Sequence, residues 1–266
     1  MSLPPFSWIL ISFENDERLF RALEHVVAPT LRAWERRGSP LDVEILIVDN
    51  SPDSPGHASF VERLERTWRE AVLAPTKFLA APRNLSYAGA INAAVRHASR
   101  DFVVYTCSNH CTYHDEHWVE GLLEPFALHP DIAMTGSLFS SPPARLFGLP
   151  PVAPIHVQGG IFAARTDLLA VLPYDELNDP HLHSDIRQSY RITAAGHELY
   201  PARSVRSLPV GSDERHDPVG LVHDYAGQAP FCRNEYRYQC DGEKGHIAEV
   251  HSLSARDDLH RKLGLP

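Results

Sequence analysis

Long hydrophobic runs are absent from this 266-residue sequence, and cysteines are scarce. No stretch of about eighteen consecutive apolar residues occurs, which is roughly the length that a membrane-spanning helix needs. The first residues have no basic segment ahead of their apolar ones, so they indicate an opening strand and not a signal peptide. Four cysteines in the whole chain are typical of a reducing compartment with free thiols. We therefore expect a cytoplasmic protein without a membrane span.

Basic residues are outnumbered by acidic ones, with 25 Lys and Arg against 34 Asp and Glu and a formal net charge of -9. Binding to nucleic acid requires clustered cations that displace counterions, so this balance argues against a nucleic-acid partner. The hydrophobic fraction of 43% and the charged fraction of 22% are ordinary for a globular protein. The length suits one large domain, or a domain with a small appendage.

Short apolar runs alternate with segments of helical periodicity over the first 106 residues. Buried strands are predicted at 6–13, 43–48, 77–80 and 102–106, with helices from residue 19 and at 58–72 and 88–97. This β-α-β alternation predicts an α/β fold, with a mostly parallel sheet and helices on both of its faces. Ligands of such sheets bind beyond the carboxyl ends of the strands. Polar residues follow three of these strands, namely Glu14 and Asn15, Asp49 and Asn50, and Ser108, Asn109 and His110.

The second half of the chain has a different texture. Residues 140–154 contain five prolines and are typical of a loop, 157–164 resemble a strand with Gly159-Gly160 inside it, and 185–195 predict a helix closed by Gly196. Little periodicity is visible after residue 210. We therefore expect one domain over 1–209, and a tail or small cap over 210–266.

Four segments, in order along the chain, carry motifs of one known family. They are Ile9 to Asn15 with Leu19, then Val43 to Ser51, then Asn84 to Asn92, and finally Gly159-Gly160 followed by Arg165, Asp185, Arg191 and Gly196. The third segment is close to the form Asn-x-Gly-x-(Ala/Gly)-x-Ala-x-Asn. Together these motifs resemble the family-2 glycosyltransferases, whose fold is the Rossmann-like GT-A type.

The resemblance implies an enzyme that transfers a sugar from a nucleoside-diphosphate donor, a UDP- or dTDP-sugar, to an acceptor hydroxyl with inversion. The acceptor would be a small molecule, a glycan or a lipid-linked saccharide. Such a reaction needs a base for the proton of the attacking hydroxyl, and the resemblance implies that Asp185 is this base. It also needs stabilisation of the charge that grows on the leaving diphosphate. A different interpretation of Asp185 is an ordinary helix N-cap.

Further roles follow from the resemblance. Asp49 would bind the nucleobase or ribose, Arg83 and Asn84 would flank the base, and the two glycines would let backbone approach the ligand closely. An ordinary turn cap is the alternative interpretation of Asp49. The positions implied to bind the nucleotide-sugar are Phe13, Glu14, Asp49, Arg83, Asn84, Asn92, Asn109, Gly159 and Gly160.

The sequence departs from the family where a metal would be held. The family's Asp-x-Asp motif falls after strand 102–106, where this chain has Cys107-Ser108-Asn109 and then His110. A neutral amide oxygen is a weaker ligand than a carboxylate for Mn²⁺ or Mg²⁺. Three alternatives stay open: catalysis without a metal, a metal held differently, with Asn109, His110 or Asp115 as candidate ligands, or a fold that binds its ligand without transferring sugar.

Two rival functions follow. The first is a non-catalytic module that binds a nucleotide-sugar or a glycan. The second is a nucleotidyltransferase, which requires a glycine-rich basic loop after the first strand. The segment 12–17 contains no glycine, and this absence disfavours the second rival.

Overall fold

The computed structural model describes residues 3–13, 16–38, 42–51, 57–69, 74–107, 117–140, 155–177, 184–202 and 248–250, together with Asp257 and Arg261. No helix within those ranges combines the length and the apolar character that crossing a bilayer requires.

Strands and helices alternate through most of these residues. The strands are β1 (Phe6–Ser12), β2 (Val43–Asp49), β3 (Thr76–Ala80), β4 (Phe102–Thr106), β5 (Ile132–Ser140), β6 (Ile155–Arg165), β7 (Glu198–Pro201) and β8 (Ala248–Val250). The helices are α1 (Asp16–Ala22), α2 (Ala28–Arg36), α3 (His57–Arg69), α4 (Ser86–His97), α5 (Trp118–Leu128), α6 (Thr166–Val171) and α7 (Ser184–Ala194). A π-helical turn, Leu23–Val27, joins α1 to α2.

The described strands form one sheet in the order β3-β2-β1-β4-β6-β5-β7, and β8 pairs with β5. Strands β1 to β4 are mutually parallel where they pair, while β6 runs antiparallel to both β4 and β5. Strand β7 is parallel to β5. The predicted α/β class with a mostly parallel sheet is therefore confirmed, and β6 is its antiparallel insertion.

The sheet carries a hydrophobic core on each face, as the sequence predicted. Along β1, Phe6, Trp8 and Leu10 belong to one core and Ile9 belongs to the other. The first core includes side chains of the helices before β2 and of α3 and α5, and the second includes side chains of α4, α6 and α7. This division follows from the two-residue period of a strand, which sends successive side chains to opposite faces.

The four tryptophans are buried in the core. Each indole N–H donates a hydrogen bond, so burial leaves none of these donors unsatisfied. The acceptors are Thr106 for Trp8, Glu120 for Trp34, Thr76 for Trp68 and Thr30 for Trp118, at 2.8 to 3.2 Å.

The predicted elements of the first half match the structure to within a few residues, whereas β5 and β7 were not predicted. In β5, Thr135 and Ser137 are buried between apolar neighbours, and these polar side chains interrupt the continuous apolar run that marks a buried strand. The Thr135 hydroxyl donates to the carbonyl of Leu122 at 2.6 Å, which satisfies its burial. Strand β8 falls inside the segment expected to be a tail or cap, and it extends the main sheet.

Candidate functional site

The carboxyl ends of β1, β2 and β4 meet at one edge of the sheet. Ser12 pairs with Asp49 at the ends of β1 and β2, and Thr106 at the end of β4 pairs with Ile161 of β6. The N–H of Cys107 donates to the carbonyl of Gly160 at 2.8 Å. The Gly159-Gly160 pair therefore lies at the same edge as Asp49, because β6 runs back past the end of β4.

Asp185 lies in the first turn of α7 and contacts this glycine pair. Its Oδ2 accepts the N–H of Gly159 at 2.9 Å, and its Oδ1 accepts the N–H of Ile186 at 2.9 Å. The side chain is half-buried. The second bond is local, to the next residue of α7, whereas the first ties the carboxylate to β6. The structure thus brings Asp185 to the edge where ligands of such sheets bind.

Glycine favours this close approach at position 159. A Cβ on Gly159 would lie 3.2 Å from Cβ of Asp185, 3.2 Å from the hydroxyl oxygen of Tyr87 and 3.3 Å from Oδ2 of Asp185. These contacts are tighter than ordinary van der Waals contact, so Asp185 and Tyr87 would have to shift by a few tenths of an ångström to admit a side chain. The missing side chain of Gly159 therefore lets both residues approach its backbone without that shift.

Tyr87 of α4 is a site residue that the sequence analysis missed. Its hydroxyl donates to the carbonyl of Gly159 at 2.9 Å. Burial raises the pKa of Tyr87 well above its usual value, and the nearby Tyr174, Tyr105, Asp185 and Cys107 act in the same direction. The phenol is therefore a neutral donor. Tyr87 occupies a variable position of the Asn84–Asn92 motif, so no local pattern indicated its role.

Tyr174 extends the same group of side chains. Its ring centroid lies 5.8 Å from that of Tyr87, with the two planes nearly perpendicular. Burial raises the pKa of the Tyr174 hydroxyl well above its usual value, Asp185 adds to that effect, and a hydrogen bond with Tyr87 partly offsets it. The hydroxyls of two aromatic residues therefore lie near the Asp185 carboxylate.

Asn92 is buried in α4 and holds the segment that carries Tyr174. Its Nδ2 donates to the carbonyl of Tyr174 at 2.9 Å and to Oε1 of Glu176 at 2.8 Å, and its Oδ1 accepts the N–H of Tyr174 at 2.9 Å. Three bonds through one amide position this segment. Asn92 thus contacts protein groups next to the site, and its predicted contact with the nucleotide-sugar stays a prediction.

Asn50 and Asn84 join the end of β2 to the start of α4. The Asn50 amide donates to Oδ1 of Asn84 and to the carbonyl of Ser86, both at 3.2 Å, and Oδ1 of Asn50 accepts the N–H of Leu85 at 2.8 Å. Oδ1 of Asn84 also accepts the N–H of Ser86 at 2.8 Å. These bonds surround Ser86, which has a φ of 64° and occupies the position of the motif's glycine.

The remaining predicted residues are distributed as follows. Asp49 is buried at the end of β2, and its Oδ1 accepts the N–H of Ser51 at 3.1 Å, a bond that fits a turn cap. Phe13 is half-buried beyond β1, and Arg83 and Asn84 are exposed before α4. The predicted ligand contacts at Glu14, Asn109, His110 and Asp115 fall outside the described residues.

The family's metal motif falls directly after β4. This strand ends at Thr106, and the next residue, Cys107, carries a thiol, which is a poor ligand for hard cations such as Mg²⁺ and Mn²⁺. The residues that the structure describes contain no group of three or more His, Cys, Asp and Glu side chains suited to hold a metal ion. Residues 108–110, which complete the motif position, lie outside the described ranges.

Comparison with known proteins places these observations in context. The profile of the family described as "Glycosyl transferase family 2" matches residues 7–152 of this chain, a range that extends from β1 to β5 and includes three of the four motifs in full. A search of curated proteins found no match to this sequence.

Several solved structures share the fold at low sequence identity. The mannosyltransferase PcManGT from Pyrobaculum calidifontis, in complex with GDP-Man and Mn²⁺, has a TM-score of 0.57 at 16% identity over 99% of this chain and 81% of that one. GalNAc-T7 with UDP, GalNAc and Mn²⁺ has a TM-score of 0.57 at 16% identity over 88% of this chain and 48% of that one. TarS 1-349 from S. aureus has a TM-score of 0.50 at 12% identity over 91% and 74%.

Proposed function

The chain belongs to glycosyl transferase family 2, and we propose that it transfers a sugar from a nucleoside-diphosphate donor to an acceptor hydroxyl with Asp185 as the general base. The observation that carries the proposal is the Asp185 carboxylate, bonded to the Gly159 N–H at 2.9 Å. Gly159 lies beside the end of β4, at the sheet edge where ligands of this kind of fold bind.

The geometry of Asp185 suits a base. Each carboxylate oxygen has two lone-pair directions, and one backbone N–H occupies one direction on each oxygen. One direction per oxygen is left for the proton of an acceptor hydroxyl. A single base that activates the acceptor for direct displacement at the anomeric carbon produces inversion. The acceptor oxygen forms a bond to the anomeric carbon as its proton moves to Asp185. The bond from that carbon to the diphosphate oxygen breaks, and the diphosphate takes the electron pair.

The donor is proposed to bind at the ends of β1 and β2, with its base or ribose near Asp49 and Arg83. Both lone pairs of Oδ1 of Asn84 are used by Asn50 and Ser86, so the amide NH₂ of Asn84 is the group that would face the nucleotide. Two similar proteins were solved with GDP-Man and with UDP, which supports a nucleoside diphosphate as the ligand class. A UDP- or dTDP-sugar is our specific proposal.

The charge that develops on the diphosphate must be stabilised, and the described residues include no metal-binding group that would do so. Both similar proteins named above contain Mn²⁺, so metal dependence is built into the experiment. Thermal shifts are measured with UDP, dTDP and GDP, each with Mn²⁺, Mg²⁺ or EDTA. A shift that survives EDTA supports nucleotide binding without a metal. A shift that requires metal supports ligands such as Asn109 and His110.

The base is tested with Asp185→Asn, and Asp167→Asn is its matched control. Asp167 lies in the first turn of α6, and its Oδ1 accepts the N–H of Leu168 at 2.7 Å. Both substitutions therefore alter an aspartate near a helix start. We expect Asp185→Asn to lower kcat by about 10²- to 10⁴-fold, the usual contribution of a general base, and Asp167→Asn to leave it unchanged. Full turnover by Asp185→Asn at neutral pH would refute the role.

The competing function is a binding module, and the missing Asp-x-Asp pair is the observation that favours it. In that case a nucleotide shifts the melting temperature, but no tested donor is transferred or hydrolysed. Incubation with labelled donors and a panel of glycan and small-molecule acceptors distinguishes the two functions.

A further inference from the structure

The Gly159 backbone lies in a part of β6 that the sheet restrains weakly. Pairing with β5 passes from Val157–Leu138 to Phe162–Gly136 across an irregularity in the register. Residues 158–160 lie within this irregularity, outside the regular pairing with β5, and glycine itself restricts φ and ψ less than other residues do. The orientation of the Gly159 N–H, which donates to Asp185, consequently depends on contacts outside that ladder.

Tyr87 supplies such a contact. Its hydroxyl donates to the Gly159 carbonyl at 2.9 Å, while the Gly159 N–H donates to Oδ2 of Asp185 at 2.9 Å. The carbonyl and the N–H belong to the two peptide planes on either side of the Gly159 Cα. The Tyr87 bond restrains the peptide plane that contains the Gly159 carbonyl, and the bond from the Cys107 N–H restrains the Gly160 carbonyl. Together these bonds limit the rotation that would turn the Gly159 N–H away from Asp185.

Tyr87 is itself held firmly. Its ring meets Tyr105 at a centroid distance of 5.6 Å and Tyr174 at 5.8 Å, nearly perpendicular to both. The backbone of Tyr174 in turn makes two bonds with the Asn92 amide, which also donates to Glu176. Because the Tyr87 ring is already held in place, its hydroxyl loses little conformational entropy when it donates to the Gly159 carbonyl.

We propose that Tyr87 is a positioning residue for Asp185, acting through the Gly159 backbone. This role rests on the proposed function, in which Asp185 is the base. Tyr87→Phe is the perturbation, because it keeps the ring between Tyr105 and Tyr174 and removes only the hydroxyl. Tyr200→Phe, on β7 beside His129, is the matched control.

The first measurement is independent of turnover. In ¹⁵N–¹H spectra, the Asp185→Asn variant serves as a reference. It shows how far the Gly159 amide resonance shifts when the group that accepts its hydrogen bond is changed. We expect Tyr87→Phe to shift the same Gly159 resonance and Tyr200→Phe to leave it in place. Well-dispersed spectra of both variants show that they are folded. A Gly159 amide that does not move in Tyr87→Phe would overturn the coupling.

The second measurement is steady-state kinetics. A misplaced base costs kcat and leaves donor binding intact, so we expect kcat to fall about tenfold in Tyr87→Phe while the KM for the donor changes by less than about twofold. In the Asp185→Asn background, Tyr87→Phe should cost nothing further, because the two residues act through one group. A raised KM with unchanged kcat, or an equal loss in both backgrounds, would overturn the positioning role.

These outcomes separate the two proposals. Full turnover by Asp185→Asn would overturn the role of Asp185 as the general base, and with it the proposed effect of Tyr87 on catalysis. A Gly159 resonance that is unaffected by Tyr87→Phe, together with an inactive Asp185→Asn, would overturn only the positioning role.

Discussion

Acidification should remove a specific part of the stability of this fold, at the amino-terminal edge of the sheet. Glu44 on β2 is only 3% exposed. Its carboxylate accepts the Ser7 hydroxyl at 2.7 Å and the Ser99 N–H at 2.6 Å, and it lies 2.7 Å from Nζ of Lys77. Burial by itself raises the pKa of Glu44, but Lys77, Ser7 and Ser99 outweigh it and lower the pKa from 4.5 to about 2.

The magnitude follows from this shift. One pKa unit corresponds to about 1.4 kcal/mol, so the lowered pKa of Glu44 contributes about 3 kcal/mol to the free energy of unfolding at neutral pH. Because the folded state has the lower pKa, this contribution is complete above the unfolded pKa of 4.5 and is lost as pH falls through about 2. By about pH 3, roughly 2 kcal/mol should be gone.

The assay is urea unfolding of the wild type and of Glu44→Gln at about pH 7 and about pH 3. We expect Glu44→Gln to be less stable by about 2–3 kcal/mol near pH 7. The gap between the two proteins should narrow by about 2 kcal/mol near pH 3, since the wild-type group is then largely protonated on unfolding. Glu124→Gln, exposed on α5, is the control. A gap that does not change with pH would refute the reasoning.

Two further substitutions test the local geometry of the site. Gly159→Ala should lower kcat by at least tenfold and the free energy of unfolding by about 1–3 kcal/mol, because its Cβ displaces Asp185 and Tyr87 from the Gly159 backbone. Steady-state kinetics and urea unfolding measure the two effects, and unchanged values would contradict the close approach. Ser86→Gly should raise the melting temperature by a few degrees, since it relieves a left-handed φ that costs about 1 kcal/mol; a lowered melting temperature would mean that the Ser86 side chain contributes more than the strain costs.

Much of the fold was predictable from local pattern. The continuous apolar run of β2 predicts a strand that is buried on both faces. The helical spacing of apolar residues in α3 and α4 predicts helices that are buried along one stripe. β5 escaped prediction because Thr135 and Ser137 satisfy their burial through contacts that the pattern does not contain. The motifs were sufficient to identify the family, since several stand in order at the correct separations.

The site divides in the same way. The sequence by itself determined the family, the α/β class and the residue types available at the strand ends, since these are properties of composition, period and spacing. Only the tertiary structure decided that Gly159 lies beside the end of β4. It also decided that Tyr87 of α4 and Asp185 of α7, which are 98 residues apart in sequence, both contact Gly159 there. The insertion of β6 between β4 and β5 brings these groups together. Strand order and register are set by packing between distant segments, and no local period records them.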